Sequence, residues 1–144
     1  GDVYISDMST NRIYHYKDGE IRLWLRSETL DKINGLFATK EFLYVGMKDE
    51  IVRVEYLSRR IHPFLKNTGG VDGLENLRGD YFLFSDWQGR VYQGQTEQGI
   101  IKLLDSRSAN KNAADIEFVP EKKLLLVPTF LGNTVTAYKL SEIP

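Results

Sequence analysis

The sequence contains no cysteine, so neither a disulfide nor a thiolate metal site contributes to this fold, and the absence leaves the redox compartment open. Histidine is scarce: His15 and His62 are the two present, in different stretches of the chain, which argues against a shared histidine metal site. No apolar run reaches membrane-spanning length, and the opening residues do not read as a secretory signal. Charge of one sign is lacking as well. Nineteen Lys and Arg against 20 Asp and Glu leave a net charge of -1. That balance supplies no basic field for nucleic acid and no acidic tail for cations. Several catalytic signatures are missing. The stretch Gly69-Gly70-Val71-Asp72-Gly73 lacks the lysine and following helix of a phosphate loop, and there is neither a G-x-S-x-G elbow nor an H-E-x-x-H pair. Serine or cysteine nucleophile chemistry has no support.

What the chain does contain is a repeat. Hydrophobic residues make up 42% and charged residues 27%, which suits a folded globular domain rather than a disordered one. Ile33-Asn34-Gly35-Leu36 matches Val71-Asp72-Gly73-Leu74, and a looser Ala113-Ala114-Asp115-Ile116 follows. An apolar run comes about eight residues after each: Leu43-Tyr44-Val45, Phe82-Leu83-Phe84 and Leu125-Leu126-Val127, with a fourth at Val3-Tyr4-Ile5. A further strand pattern begins near Ile13, Ile51, Val91 and Val135. The motifs recur after 38 and then 42 positions. A period near 40 with four short strands per unit is the signature of a β-propeller blade. Helix periodicity is sustained nowhere.

The fold class expected is therefore all-β, a β-propeller with about three and a half blades in residues 1–144. Naming the strands of a blade a to d from the axis outward, residues 1–26 hold b (Val3 to Ser6), c (Arg12 to Tyr16) and d (Glu20 to Leu25). Residues 33–65 hold a complete blade, a at Gly35 to Thr39, b at Phe42 to Gly46, c at Glu50 to Glu55 and d at Arg60 to Leu65. Residues 71–104 hold another, and residues 113–140 hold a to c. Pro63 falls in an outer strand, where one missing donor is tolerable. The b strands are apolar on both sides, as a strand between stacked sheets should be. In the first d strand Ile21, Leu23 and Leu25 are expected on one face, with Arg22, Trp24 and Arg26 on the other. Beginning at strand b and ending after strand c, the sequence reads as the C-terminal part of a larger ring. Association of two copies through their open blade edges is the other expectation.

Strand parity divides each blade into two ends. Tight turns such as Lys17-Asp18-Gly19 and Arg78-Gly79-Asp80 join a to b and c to d. The b to c loops and the connectors between blades lie at the opposite end. They are longer and chemically richer, and so are the expected binding face. Asn34 and Asp72 stand there at the starts of a strands, with Asp115 one position out of register. Two readings stand for Asn34-Gly35 and Asp72-Gly73: turn chemistry, or oxygen ligands for a hard divalent cation. Asp7 and Asp86, at the ends of b strands, are expected to brace their loops through backbone hydrogen bonds, with ligand contact as the other reading. Trp87, Phe130 and Met47 fall in comparable loops and could form an apolar lip for a small ligand or sugar ring, although packing between blades suits Phe130. His15 is expected in interblade packing and His62 at the surface.

The motifs INGL and VDGL, followed by YISDMSTNRIYHY- and FLFSDWQGRVY-type strands, resemble the gluconolactonase, regucalcin and senescence-marker-protein superfamily of six-bladed propellers, a group that is also NHL-like. The resemblance implies a divalent cation, calcium or zinc, with Asn34 and Asp72 among its ligands. It implies a lactone or ester hydrolase in which the metal polarises the carbonyl and activates water, and a periplasmic or extracellular location. The second function class is a non-catalytic propeller that binds a small molecule, carbohydrate or protein on its loop face, through Asp115, Asp86, Trp87 and Asp7. Neither class calls for nucleic acid or a membrane span.

Overall fold

The computed structural model describes residues 1–141; residues 142–144, the end of the expected 1–144 domain, lie outside the described residues. The described residues form fourteen strands in four antiparallel sheets, each ordered as in the chain. The first sheet is β1 (Val3–Asp7), β2 (Arg12–Lys17) and β3 (Glu20–Arg26). The second is β4 (Leu36–Ala38), β5 (Phe42–Gly46), β6 (Glu50–Glu55) and β7 (Ile61–Lys66). The third is β8 (Leu74–Arg78), β9 (Tyr81–Asp86), β10 (Arg90–Gln95) and β11 (Gly99–Asp105), and the fourth is β12 (Glu117–Val119), β13 (Leu124–Thr129) and β14 (Thr134–Lys139). Single 3₁₀ turns occupy Arg107–Ala109 and Pro120–Lys122. The chain divides into two compact units: residues up to Val71 carry the first two sheets, and residues from Asp72 onward carry the other two.

Backbone chemistry explains why the strands turn where they do. Asp18 and Gly19 take φ of 51° and 84°, the two left-handed residues that a tight hairpin matching strand twist demands. At the other end of the sheets, three of the b to c loops close on a left-handed residue just before the next strand: Asn11 (53°), Gly89 (116°) and Asn133 (49°). Asparagine and glycine tolerate that conformation best. At Gly89 a side chain would also run into the Lys111 carbonyl, 2.3 Å from where a Cβ would sit.

The expected alternation in β3 is corrected by a bulge. Ile13 pairs with Leu25 but Tyr14 pairs with Leu23, so Trp24 is the extra residue. The same shift recurs between Ile51 and Val52, leaving out Phe64, and between Val91 and Tyr92, leaving out Leu103. A bulge reverses facing along its strand. Trp24 and Leu25 are consequently both buried, while Ile21 and Leu23 are exposed.

Each sheet has a front face and a back face. Val3 and Ile5 mark the front of the first sheet, and Leu43 and Val45, Phe82 and Phe84, and Leu125 and Val127 mark it in the others; Tyr4 and Ser6 and their counterparts mark the back. In the first unit the back of sheet one packs on the front of sheet two, with Ile13, Trp24 and Leu25 against Leu43, Val45, Val52 and Val54. In the second unit the back of sheet three, with Leu83 and Val91, packs on Phe118, Leu125 and Val127 at the front of sheet four. Two-sided burial therefore holds for β5 and β9 but not for β1 or β13, whose alternate residues remain partly or fully exposed.

Candidate functional site

The loop ends are fastened by side chains the repeat supplies. In the first unit the Ser6 hydroxyl donates to the Asn34 carbonyl at 2.8 Å, joining the end of β1 to the approach of β4. In the second unit the buried Ser85 hydroxyl donates to the Ala114 carbonyl at 2.6 Å and accepts from the Gly73 N–H at 2.9 Å. Asn34 N–H donates to the Gly46 carbonyl, Asp72 N–H to that of Ser85, and Ala114 N–H to that of Pro128. These three residues thus occupy one repeat position, and Asp115 lies one step beyond it. Asp115 Oδ1 accepts from the Ile116 N–H at 3.0 Å. It also lies 2.9 Å from where a Cβ on Gly73 would sit, beside the Ile116 N–H at 2.5 Å, so glycine is required there by close approach of the neighbouring strand.

Asp7 and Asp86 make the loop-bracing bonds that their position suggests. Asp7 Oδ1 accepts from the N–H groups of Ser9 and Thr10 at 2.9 and 3.2 Å, and Oδ2 takes the Thr10 hydroxyl at 2.6 Å. The Thr10 bond is the main reason its carboxyl is held below the ordinary aspartate value. Asp86 Oδ1 accepts from Gly89 and Arg90 N–H groups, while Oδ2 pairs with the Arg90 guanidinium and takes the Tyr92 hydroxyl at 3.4 Å. With these oxygens engaged, both carboxylates serve loop shape first.

In the first unit the loop end forms an open cleft of about 470 Å³ lined by Thr29, Asp31, Lys48, Asp49, Lys66 and Asn67, with Met47 and Glu50. Met47 is buried and belongs to the core beneath the cleft, so it does not join the expected apolar lip. Asp49 is fixed by accepting from Gly69 N–H at 3.0 Å, and Lys48 Nζ lies 4.0 Å from Asp31. Mixed charge and wide exposure make this cleft a hydrated surface with little power to select one ligand.

The second unit presents a different surface. Trp87 and Phe130, on the loops after β9 and β13, lie with ring centroids 5.4 Å apart and remain 48% and 67% exposed. Leu131 beside them is exposed as well. Packing between sheets, the expectation for Phe130, is thereby replaced by a surface aromatic pair. The loops under it are held: Asp86 braces one, and Thr129 Oγ1 bonds the carbonyl and hydroxyl of Thr134 across the other. Leu131 N–H donates to the buried Asn112 side chain at 3.0 Å, and Asn112 Nδ2 has no hydrogen-bond partner among the described residues.

Three carboxylates gather at the first strands of sheets three and four: Glu75 on β8, Glu117 on β12, and Asp115 two residues before β12. Burial above all, then the charges of Glu117 and Asp115, pushes the Glu75 carboxyl up to about 7. A carboxyl titrating near neutrality can give or take a proton. Among the described residues no three His, Asp or Glu side chains are grouped to hold a metal ion. Two oxygen side chains fall short of a calcium shell. His15 stacks on Tyr4 at 4.8 Å, and His62 Nε2 lies 2.8 Å from Glu55 Oε1, so both histidines serve packing or pairing.

Sequence reasoning missed the two serine latches and Glu75. The first had a signal, since Ser-Asp closes both YISD and LFSD. The second had none, because its environment is set by residues some forty positions away.

No protein-family model matches the chain, and no curated protein matches it. Solved structures do. A chain of the nidogen/laminin complex is similar with a TM-score of 0.75 and 16% identity over 97% of this chain and 56% of that one. Luciferin-regenerating enzyme is similar with 0.61 and 17% over 82% and 43%. The computationally designed Ika4 protein is similar with 0.62 and 10% over 97% and 86%. The chain spans about half the length of the first of these and less than half of the second. At such identities the likeness establishes the fold: all-β, built of antiparallel sheets in a propeller-like arrangement.

Proposed function

We propose that this chain is a ligand-binding propeller-like module that takes a small molecule or carbohydrate ring on the loop end of its second unit, with Trp87 and Phe130 as the platform. The observation that carries this reading is the exposure of two contacting aromatic rings on loops that are themselves braced by hydrogen bonds. Exposed apolar surface costs solvation free energy, and a rigid aromatic pair offers a ligand a large contact area with little ordering cost. One neighbour is an enzyme by name and another comes from a protein–protein complex, so this architecture accommodates both catalysis and binding.

Intrinsic fluorescence tests the reading directly. The chain has two tryptophans, and Trp24 is buried, so ligand-dependent change reports on Trp87. Titration with a panel of mono- and oligosaccharides should give a saturable change that Trp87→Ala and Phe130→Ala abolish. A panel that leaves the emission unchanged and gives no heat by calorimetry overturns the proposal.

A second reading takes up the raised Glu75 carboxyl, near Glu117 and Asp115, as an acid–base group: a gluconolactonase-like six-bladed ring, with Asn34 and Asp72 among the ligands of calcium or zinc, hydrolysing a lactone. Metal that binds the folded state raises the melting temperature by mass action. If neither cation shifts Tm nor supports lactone hydrolysis, this second reading fails while the first is untouched.

A further inference from the structure

We infer that the front face of the first sheet is a self-association surface whose occupant is the back face of the fourth sheet of a second copy of this chain. Register places six large side chains on that front face in two cross-strand rows, Val3–Tyr16–Ile21 and Ile5–Tyr14–Leu23. Five of the six are exposed, Ile21 at 63% and Leu23 at 54%, and Tyr14 is half-buried. Isolated exposed apolar residues need no explanation, but five contiguous ones around a half-buried tyrosine on one sheet face do.

The chain itself shows what covers such a face. The equivalent rows of sheet two, built on Leu43 and Val45, are buried by the back of sheet one, and those of sheet four, built on Leu125 and Val127, by the back of sheet three. A back face meeting a front face is thus an interface made twice within one polypeptide. Among the described residues the front of sheet one and the back of sheet four remain uncovered. There β13 alternates between buried Leu125 and Val127 and half-buried Leu124, Leu126 and Pro128, and Val135 on β14 is 65% exposed. The two uncovered faces are the two halves of the repeated interface, so a second copy supplies for the first sheet what its own repeat supplies for the second and fourth. The contact is heterologous, front to back, and either closes on itself or propagates.

Sedimentation equilibrium tests this on the chain as it stands. At about 100 µM the measured mass should be at least twice the 16.6 kDa of one chain. Leu23→Arg on the front of sheet one, or Val135→Arg on the back of sheet four, should weaken association about tenfold or more. Both positions are exposed, so each variant should keep its strand signature in circular dichroism. Ile101→Arg, exposed on β11 of the third sheet, should leave association unchanged. Mixing the Leu23→Arg and Val135→Arg chains should restore pairing, because each retains the half the other has lost. A monomer at every concentration overturns the inference, and so does association that Leu23→Arg and Val135→Arg leave intact.

Discussion

The two units are built on the same plan and spend their aromatic residues differently. In the first, Tyr4, Trp24 and Tyr56 cluster inside the sheet pair, with Tyr4 edge-on to Trp24 at 4.9 Å and the Arg59 guanidinium 4.6 Å over the Trp24 ring. In the second, Phe82, Phe84 and Phe118 are buried and the sheet pair packs Phe118 among Leu83, Val91, Leu125 and Val127, while Trp87 and Phe130 lie outside on loops. Since one sheet pair folds around its tryptophan and the other displays one, packing does not require the display. This is the physical ground for the proposal that binding falls to the second unit.

Substitution at the two tryptophans sharpens that contrast most. Trp24→Ala should cost about 3–5 kcal/mol in urea unfolding, the range for a buried large aromatic, whereas Trp87→Ala should change stability by about 0.5 kcal/mol or less. Equal losses would break the comparison. The serine latches come next. Ser85→Ala leaves the Ala114 carbonyl and the Gly73 N–H without their buried partner, with an expected cost of about 1–3 kcal/mol. Ser6→Ala removes one partly buried bond and should cost less by the same unfolding measurement.

A smaller effect separates the units by pH. Glu75 has a folded-state value raised above its ordinary 4.5 to about 7, so between those values the native state binds more protons than the unfolded chain. Stability should therefore fall as pH rises from about 4.5 to 7, and Glu75→Gln should flatten that slope and stabilise the protein at pH 8. Solvent near this half-buried group screens the effect, which should be below that of either latch. Unfolding midpoints at pH 5 and 8 would show it, and an unchanged slope in the variant would remove Glu75 from the acid–base account.

Much of this architecture was readable because strands bury alternate residues and turns need particular backbones. Phe42–Gly46 and Glu50–Glu55 are strands with the bounds the sequence pattern suggests, and Asp18-Gly19 is a turn because few other pairs tolerate its dihedrals. The bulges were not readable. No local signal says that Trp24 is an extra residue; its burial is decided by the sheet it packs against. Nor does the pattern tell that β12 begins only at Glu117, after the Asp115 carboxylate has taken the N–H of Ile116. Of the candidate residues, Asp7 and Asp86 were legible as loop braces from their place after an apolar run. Exposure of Phe130 depends on tertiary contacts that a sequence pattern does not encode.

The hairpin ends of the sheets offer a practical handle. Gly79 and Gly99 have open space where a side chain would begin, and antiparallel strands put their turns at the opposite end of the third sheet from the Trp87 loop. A few residues spliced into such a turn, carrying a dye or an immobilisation peptide, would leave Trp87 and Phe130 free to be assayed. The protein thus comes with its own attachment points for surface-based ligand screening.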